Sequence, residues 1–562
     1  MNLPNVPNQP NVPKVWFGRF ETVFTEFSAR TRQLNLQPRE PFDILVVGGG
    51  ITGAGIARDA MMRGFKTALI DKGDFACGTS SKSSKLVHGG VRYLETFEFG
   101  LVFEASRERR VLWNIAPDLA KPLPFLFPVY RDSKLRGWMI NLGLWAYDAL
   151  ALFRNFRNHE WLSNDEITRR MRGLDTVNIS GAAHYYDGQV DDARLTLETI
   201  RAAHRCGAAI ANYIQVDSLI KESERVVGVK AHDTLRGDKI EIRARVVVNA
   251  TGVWTDVLSQ MDDPSAPKRM RPTKGIHIVV PRKKIGGECA VAFPNITDGR
   301  LMFALPWGKF QIIGTTDTDY TGDYDRVYAD KADVEYIIAA TNHAFPTTPI
   351  TRADVLSTFA GLRPLIAQIG KSASKTSREH EIWTTPSGLV TIAGGKLTTY
   401  RSMAEELVDL VAKQLRDQFD IIAPSPCLTA QTPIIESDGA PVSAEGFPSD
   451  VIEHLQHFHG PQYPRVLQVA QRDSKLAQRI VEDLPYLWAA VPYAIENEMA
   501  MTVADVLERR LHLLTESGDN GIAAAPQAAE YFAEVLDWDK ARIEKELCAY
   551  QDNVDATNAY RK

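Results

Sequence analysis

The sequence predicts an α/β protein: a doubly wound, parallel-stranded dinucleotide-binding domain, an antiparallel-sheet substrate domain and a C-terminal helical domain. Three observations predict it. FDILVV from Phe42 runs directly into GGGITGAGIARDAMMRG and then TALID, a β–turn–α–β unit. Short apolar strands recur through the middle of the chain. Beyond a stretch at 432–450 holding Pro433, Gly439, Pro441, Gly446 and Pro448, the pattern is helical throughout.

Residues 1–40 read as an extension. Pro4, Pro7, Pro10 and Pro13 favour extended chain, and Phe17, Phe20, Phe24 and Phe27 then fall at helical spacing, giving a short aromatic helix face. Glu21 and Glu26 argue against a mitochondrial transit peptide. In the β–turn–α–β unit, Gly48 permits the tight turn, Gly50 lets the backbone approach a pyrophosphate, and Gly53 allows helix and strand to pack closely. Ile51 and Thr52 open the helix whose free N–H groups face that anion. Asp71 ends the second strand, where its carboxylate suits a ribose hydroxyl and would repel a 2′-phosphate.

Trp138–Phe153 is too short to span a bilayer, contains Asn141 and Asp148, and is flanked by Arg136 and Arg154. A buried helix is the first expectation there and an interfacial membrane helix the second. Leu195–Arg205 reads as a helix closed by Gly207, Val226–Val229 and Ile240–Ala244 as a strand pair, and Val246–Asn249 as a buried strand entering ATG. His277–Val280, Leu301–Leu305 and Gln311–Ile313 read as antiparallel strands, and Leu389–Ile392 as a strand entering GGKLTTY with a helix from near Tyr400. The expected division is 1–40, extension; 41–425, cofactor and substrate region; 426–450, linker; 451–562, helical domain. Within 41–425, cofactor segments near 41–115, 180–260 and 355–420 interleave with substrate-domain segments.

A net charge of -5 offers no basic excess to follow a nucleic acid backbone. Five scattered cysteines without a CxxC pair point away from zinc sites and disulfides and toward a reducing compartment. No metal is expected, and no run of about 18 apolar residues predicts a transmembrane helix. The dinucleotide turn alone does not choose between NAD and FAD. Ala250, Thr251 and Gly252 after one strand, and Gly394 and Gly395 after another, favour a long flavin held by three separated segments.

Several long motifs in one order carry a family resemblance: VVGGGITGAGIARDA, TSSKSSKLVHGGVRYLE, YYDGQVDDARL, NATGVW, KGIHIVVP, IIGTTDTDY, GLRPL and AGGKLTTYR. Over roughly residues 41–515 the chain resembles FAD-dependent glycerol-3-phosphate dehydrogenase. The resemblance implies a Rossmann-like FAD-binding domain of the glutathione-reductase/D-amino-acid-oxidase type. It also implies oxidation of sn-glycerol 3-phosphate to dihydroxyacetone phosphate, with hydride passing to a noncovalent flavin and electrons onward to a quinone. An oxidase making hydrogen peroxide, and a non-redox flavoprotein binding a partner or nucleic acid, are the alternatives. The implied setting is cytoplasmic, peripheral on the inner face of the cell membrane, and a homodimer is admitted.

Substrate contacts carried over are Arg92, Tyr93, His277, Arg363, Arg378, Lys396 and Thr398; arginine offers paired donors to a phosphate dianion. Cofactor contacts are Gly48, Gly50, Ile51, Thr52, Gly53, Asp71, Lys72, Thr79, Ser80, Ser84, Lys85, Ala250, Thr251, Gly252, Gly395, Lys396 and Leu397. The catalytic set is His88, His277 and Arg363. Histidine suits removal of the hydroxyl proton, and His88, in a glycine-rich loop, is the favoured base with His277 as substrate ligand or alternative base.

Overall fold

Five of the six residues of Phe42–Val47 (β1) are buried, as a strand covered by helices on both faces requires. Ile51–Arg63 (α1) follows, starting at Gly50 and ending where Gly64 takes the left-handed conformation. Thr67–Ile70 (β2) returns parallel to β1, pairing Ile44 with Thr67 through Val47 with Ile70. The structure, a computed structural model, describes residues 40–90, 99–131, 137–150, 156–171, 173–367, 379–437, 439 and 443–562. The aromatic segment around Phe17–Phe27 lies outside the described residues.

Gly137–Leu150 (α2) corrects the buried-helix expectation: Trp138 is 65% exposed, Leu142 63% and Trp145 53%, while Leu144 is buried. The reason is one-sided packing, since the chain supplies neighbours for only part of an apolar surface. Asp192–Arg205 (α3) starts three residues earlier than its apolar pattern, because Asp191 caps it by accepting from the Arg194 N–H at 2.9 Å. The two segments expected at 240–249 are one strand, Lys239–Asn249 (β3). Its first half pairs antiparallel with Arg225–Asp233 and its second half pairs parallel with β1. Thr273–Pro281 (β4), Ser357–Arg363 (β5), Val390–Gly394 (β6) and the helix Tyr400–Phe419 (α4) complete the site-bearing elements.

Two sheets result. In the first, His380–Thr384, β6, β3, β1, β2 and Ala209–Ala211 lie side by side, parallel from β6 onward. The carboxyl ends of β1, β3 and β6 thereby share one edge, where open α/β sheets bind ligands. Among the described residues the second sheet has ten strands, and β4 lies between Phe310–Gly314 and β5, antiparallel to both. Helices from Ser449 onward share a single core with this sheet, with Leu467, Val506 and Leu513 in the same cluster as Val279, Leu305 and Ile312. The segment before them is irregular but tied down: Ile434 is buried with Leu112 and Ile115, and Arg58 donates to the Thr432 carbonyl at 2.7 Å. Among the described residues no helix is long and apolar enough to cross a membrane.

Candidate active site

The glycine turn forms because side chains would collide. A Cβ on Gly53 would stand 1.9 Å from the Gly48 carbonyl oxygen, and one on Gly48, at φ +116, would stand 2.5 Å from the Ala250 carbonyl. Gly50 caps α1 with no side chain in the way, and Ile51 donates its N–H to Ser80 Oγ at 2.9 Å. Thr52 follows in the first turn of α1. Asp71 accepts from Gly49 N–H at 2.6 Å and Gly73 N–H at 2.8 Å, so it braces the turn as well as ending β2. Burial pushes its carboxyl up to about 6.

Asn249, at the end of β3, accepts from the Thr251 hydroxyl at 2.7 Å and donates to the Thr255 carbonyl, fixing the Ala250–Thr251–Gly252 bend. Gly394 and Gly395 both have positive φ and turn the chain out of β6 into the short helix Leu397–Thr399, with Lys396 at its start. The Thr398 hydroxyl is bound to the main chain of His88, at 3.1 Å from its N–H and 3.3 Å from its carbonyl, so it joins the two segments. Lys72 pairs with Asp325 at 2.6 Å over the face of Trp254. These three strand ends and the α1 N-terminus give an anion-binding edge with room made by glycine, which fits FAD.

The loop Thr79–Lys85 fastens this edge to the second sheet. Thr79 donates to the Leu362 carbonyl at 2.6 Å, and Ser84 meets His277 Nε2 at 2.9 Å. His277 is buried on β4, its ring stacked on Phe359 of β5 at 4.7 Å, and Nδ1 has no hydrogen-bond partner among the described residues. Burial, with the cations of Arg363 and Lys85, pulls its pKa down to about 3. Arg363 folds over Gly275, whose missing Cβ would lie 2.5 Å from its guanidinium, and is held by Asp317 at 3.2 Å and the Thr316 carbonyl at 2.9 Å. Arg92, Tyr93 and Arg378 lie outside the described residues.

Sequence reasoning missed the layer behind His277. Lys85 is buried, bonded to Asp192 at 2.6 Å and set over the rings of Trp307 and Phe359. Asp191 is paired with His512 from the C-terminal helices, and Glu516 accepts from Trp307 Nε1 at 2.8 Å and Tyr486 at 2.7 Å. His512 holds the Asp191 carboxyl well below the usual range, and Asp191 holds the His512 imidazole above its own. Adjacent acids at a helix start, Asp191–Asp192, were the visible signal. Elsewhere Glu198, His459 and Glu498 cluster like metal ligands. Arg194 reaches Glu498 at 2.5 Å and Arg201 reaches Glu198 at 2.7 Å, so guanidinium already supplies the positive charge.

A dinucleotide-binding edge joined by one loop to a sheet bearing His277 and Arg363 fits a flavin-dependent oxidoreductase. A family model described as FAD dependent oxidoreductase matches residues 43–401, and one described as C-terminal domain of alpha-glycerophosphate oxidase matches 390–543. Glycerol-3-phosphate dehydrogenase 2 of Mycobacterium tuberculosis is 40% identical over 527 residues, covering 92% of this chain and 88% of that one. A glycerol-3-phosphate dehydrogenase of Synechocystis is 36% identical, covering 92% and 96%. The solved glycerol-3-phosphate dehydrogenase of Bacillus halodurans, complexed with FAD, superposes with a TM-score of 0.77 at 32% identity, covering 94% of this chain and 98% of that one. The chain belongs to the FAD-dependent glycerol-3-phosphate dehydrogenase family, and FAD is the cofactor its cradle serves.

Proposed function

We propose that the chain oxidises sn-glycerol 3-phosphate to dihydroxyacetone phosphate and passes the electrons to a quinone. The observation that carries the reading is the placement of His277 and Arg363 on neighbouring strands, latched to the cofactor edge by the loop Thr79–Lys85. FAD, when bound, supplies the acceptor for the substrate's hydride. Arg363, with Arg92, Arg378 and Lys396, neutralises the phosphate dianion, and Tyr93 joins them. His277 takes the hydroxyl proton at Nδ1, with Nε2–H donating to Ser84 and fixing the ring's orientation. Burial and the cations of Arg363 and Lys85 depress His277, and the arriving phosphate dianion offsets the cationic part of that depression, which raises the ring's basicity. His88, its main chain clamped by Thr398, is the alternative base.

In this reading Gly48, Gly50, Ile51, Thr52 and Gly53 hold the pyrophosphate and Asp71 the ribose. Ala250–Gly252 and Gly395–Leu397 flank the rest of a noncovalent flavin. The protein works in the cytoplasm at the inner face of the cell membrane, as a monomer or homodimer, without nucleic acid. An oxidase is the second reading, favoured by the match of residues 390–543 to a glycerophosphate oxidase domain. Stoichiometric peroxide in aerated buffer, with no reduction of a soluble quinone, would select it. Arg363→Ala tests the phosphate assignment: KM rises by about 10- to 100-fold, as loss of a charge-assisted contact predicts, with a smaller change in kcat. An unchanged KM overturns that assignment.

A further inference from the structure

We infer that Asp192 is a positioning residue for the reaction: its single carboxylate fastens Ser83 and Lys85, and so holds Ser84, the residue between them, against the ring of His277. The inference rests on the reading of His277 as the base.

Asp192 stands at the first position of α3 and is fully buried. Capping the helix does not account for it, because Asp191 already accepts from the Arg194 N–H. Both oxygens of Asp192 instead reach the loop Thr79–Lys85. Oδ2 accepts from the Ser83 N–H at 2.9 Å, and Oδ1 accepts from Lys85 Nζ at 2.6 Å. Two further bonds close the bend. The Lys85 N–H donates to Ser83 Oγ at 3.0 Å, and the Lys85 carbonyl accepts from the Val190 N–H at 3.0 Å. Lys85 has φ +56, a left-handed conformation that lysine adopts rarely and that surrounding contacts must impose. The contacts that impose it come from Val190 and Asp192, so the start of α3 shapes the loop.

The bend matters to His277. Stacking on Phe359 at 4.7 Å sets the plane of the imidazole, but the ring can turn over about its Cβ–Cγ bond and keep that plane. The contact of Ser84 Oγ with Nε2 at 2.9 Å separates the two orientations. With Nε2 committed to Ser84, Nδ1 is the nitrogen left to take the substrate's proton. Arg363 has supports of its own in Asp317 and the Thr316 carbonyl, so the phosphate end does not depend on this latch.

The test is a double-mutant cycle between Ser84→Ala and Asp192→Asn in the full FAD-loaded chain. The readout is anaerobic flavin reduction by sn-glycerol 3-phosphate, expressed per bound flavin. Asparagine offers one acceptor oxygen to the two donors and carries no charge. Ser84→Ala slows reduction by about 3- to 10-fold, the worth of one hydrogen bond, and Asp192→Asn by a similar factor. Half-saturation by substrate stays within about twofold of the parent in both. The double variant is no slower than the slower single one, because both changes release the same contact. A purely structural Asp192 would lower Tm and leave the rate per bound flavin unmoved. Parent-like reduction in either single variant, or a double variant slowed by the product of the two factors, overturns the inference. Where Asp192→Asn leaves too little folded protein, the pair Lys85→Met, Asp192→Ala removes both anchors without stranding a buried charge, and the same cycle with Ser84→Ala decides. His277→Asn, run in parallel, separates the inference from the reading beneath it. A slow His277→Asn enzyme beside independent Ser84 and Asp192 effects removes the inference alone, whereas a His277→Asn enzyme at the parent rate removes the base reading and the inference with it.

Discussion

His277→Asn removes the proposed base and keeps a polar side chain in its place. The ring it replaces is 3% exposed, stacked on Phe359 and bonded to Ser84 at 2.9 Å. General-base removal costs about 10²–10⁴ in rate, or roughly 3–5 kcal/mol of barrier. Anaerobic stopped-flow reduction of the flavin isolates that step. The pH dependence has a definite sign. The neutral imidazole is the active form, and burial with Arg363 and Lys85 pulls its pKa down to about 3 in the free site. The acid limb of wild-type reduction at subsaturating substrate, which reports the free enzyme, therefore lies below the ordinary histidine value of about 6.5, and it is absent in the variant. A His277→Asn enzyme within about threefold of wild type, beside a His88→Asn enzyme slowed by about 100-fold, would refute the assignment and install His88 as the base.

Gly53→Ala places a Cβ 1.9 Å from the Gly48 carbonyl, so α1 must move off β1. The variant is expected to purify with little FAD, read from absorbance near 450 nm, and a full flavin complement would contradict the packing argument. His512→Gln leaves Asp191 buried with a partner of no charge, at a cost of about 3–5 kcal/mol, seen as a lower Tm. His512 has a raised folded-state pKa, so its contribution is fully present below about 6.5 and is lost as pH rises through that raised value. The Tm gap between wild type and His512→Gln should accordingly narrow in alkaline buffer. A gap independent of pH would assign it to packing alone.

The dinucleotide edge was legible because each requirement there is local: strand, glycines, helix start and acid follow one another in sequence. The same locality failed for β3. Its alternating IEIRAR half faces solvent on one side in a hairpin, and its VVVN half is buried in the parallel sheet, so one strand reads as two. Ser84 and Lys85 read as flavin contacts from their loop, and their protein partners, His277 for Ser84 and Asp192 for Lys85, were not legible because they lie more than a hundred residues away. The His512–Asp191 pair was hidden for the same reason. Apolarity in α2 showed that the helix needs cover; which side the fold leaves bare depends on the sheet beneath it.

Anaerobic addition of sn-glycerol 3-phosphate to the purified yellow protein tests the central claim most directly. The account predicts bleaching of the flavin band near 450 nm, with one dihydroxyacetone phosphate formed per flavin. A yellow protein that stays oxidised in saturating substrate, with its flavin still reducible by dithionite, would contradict it.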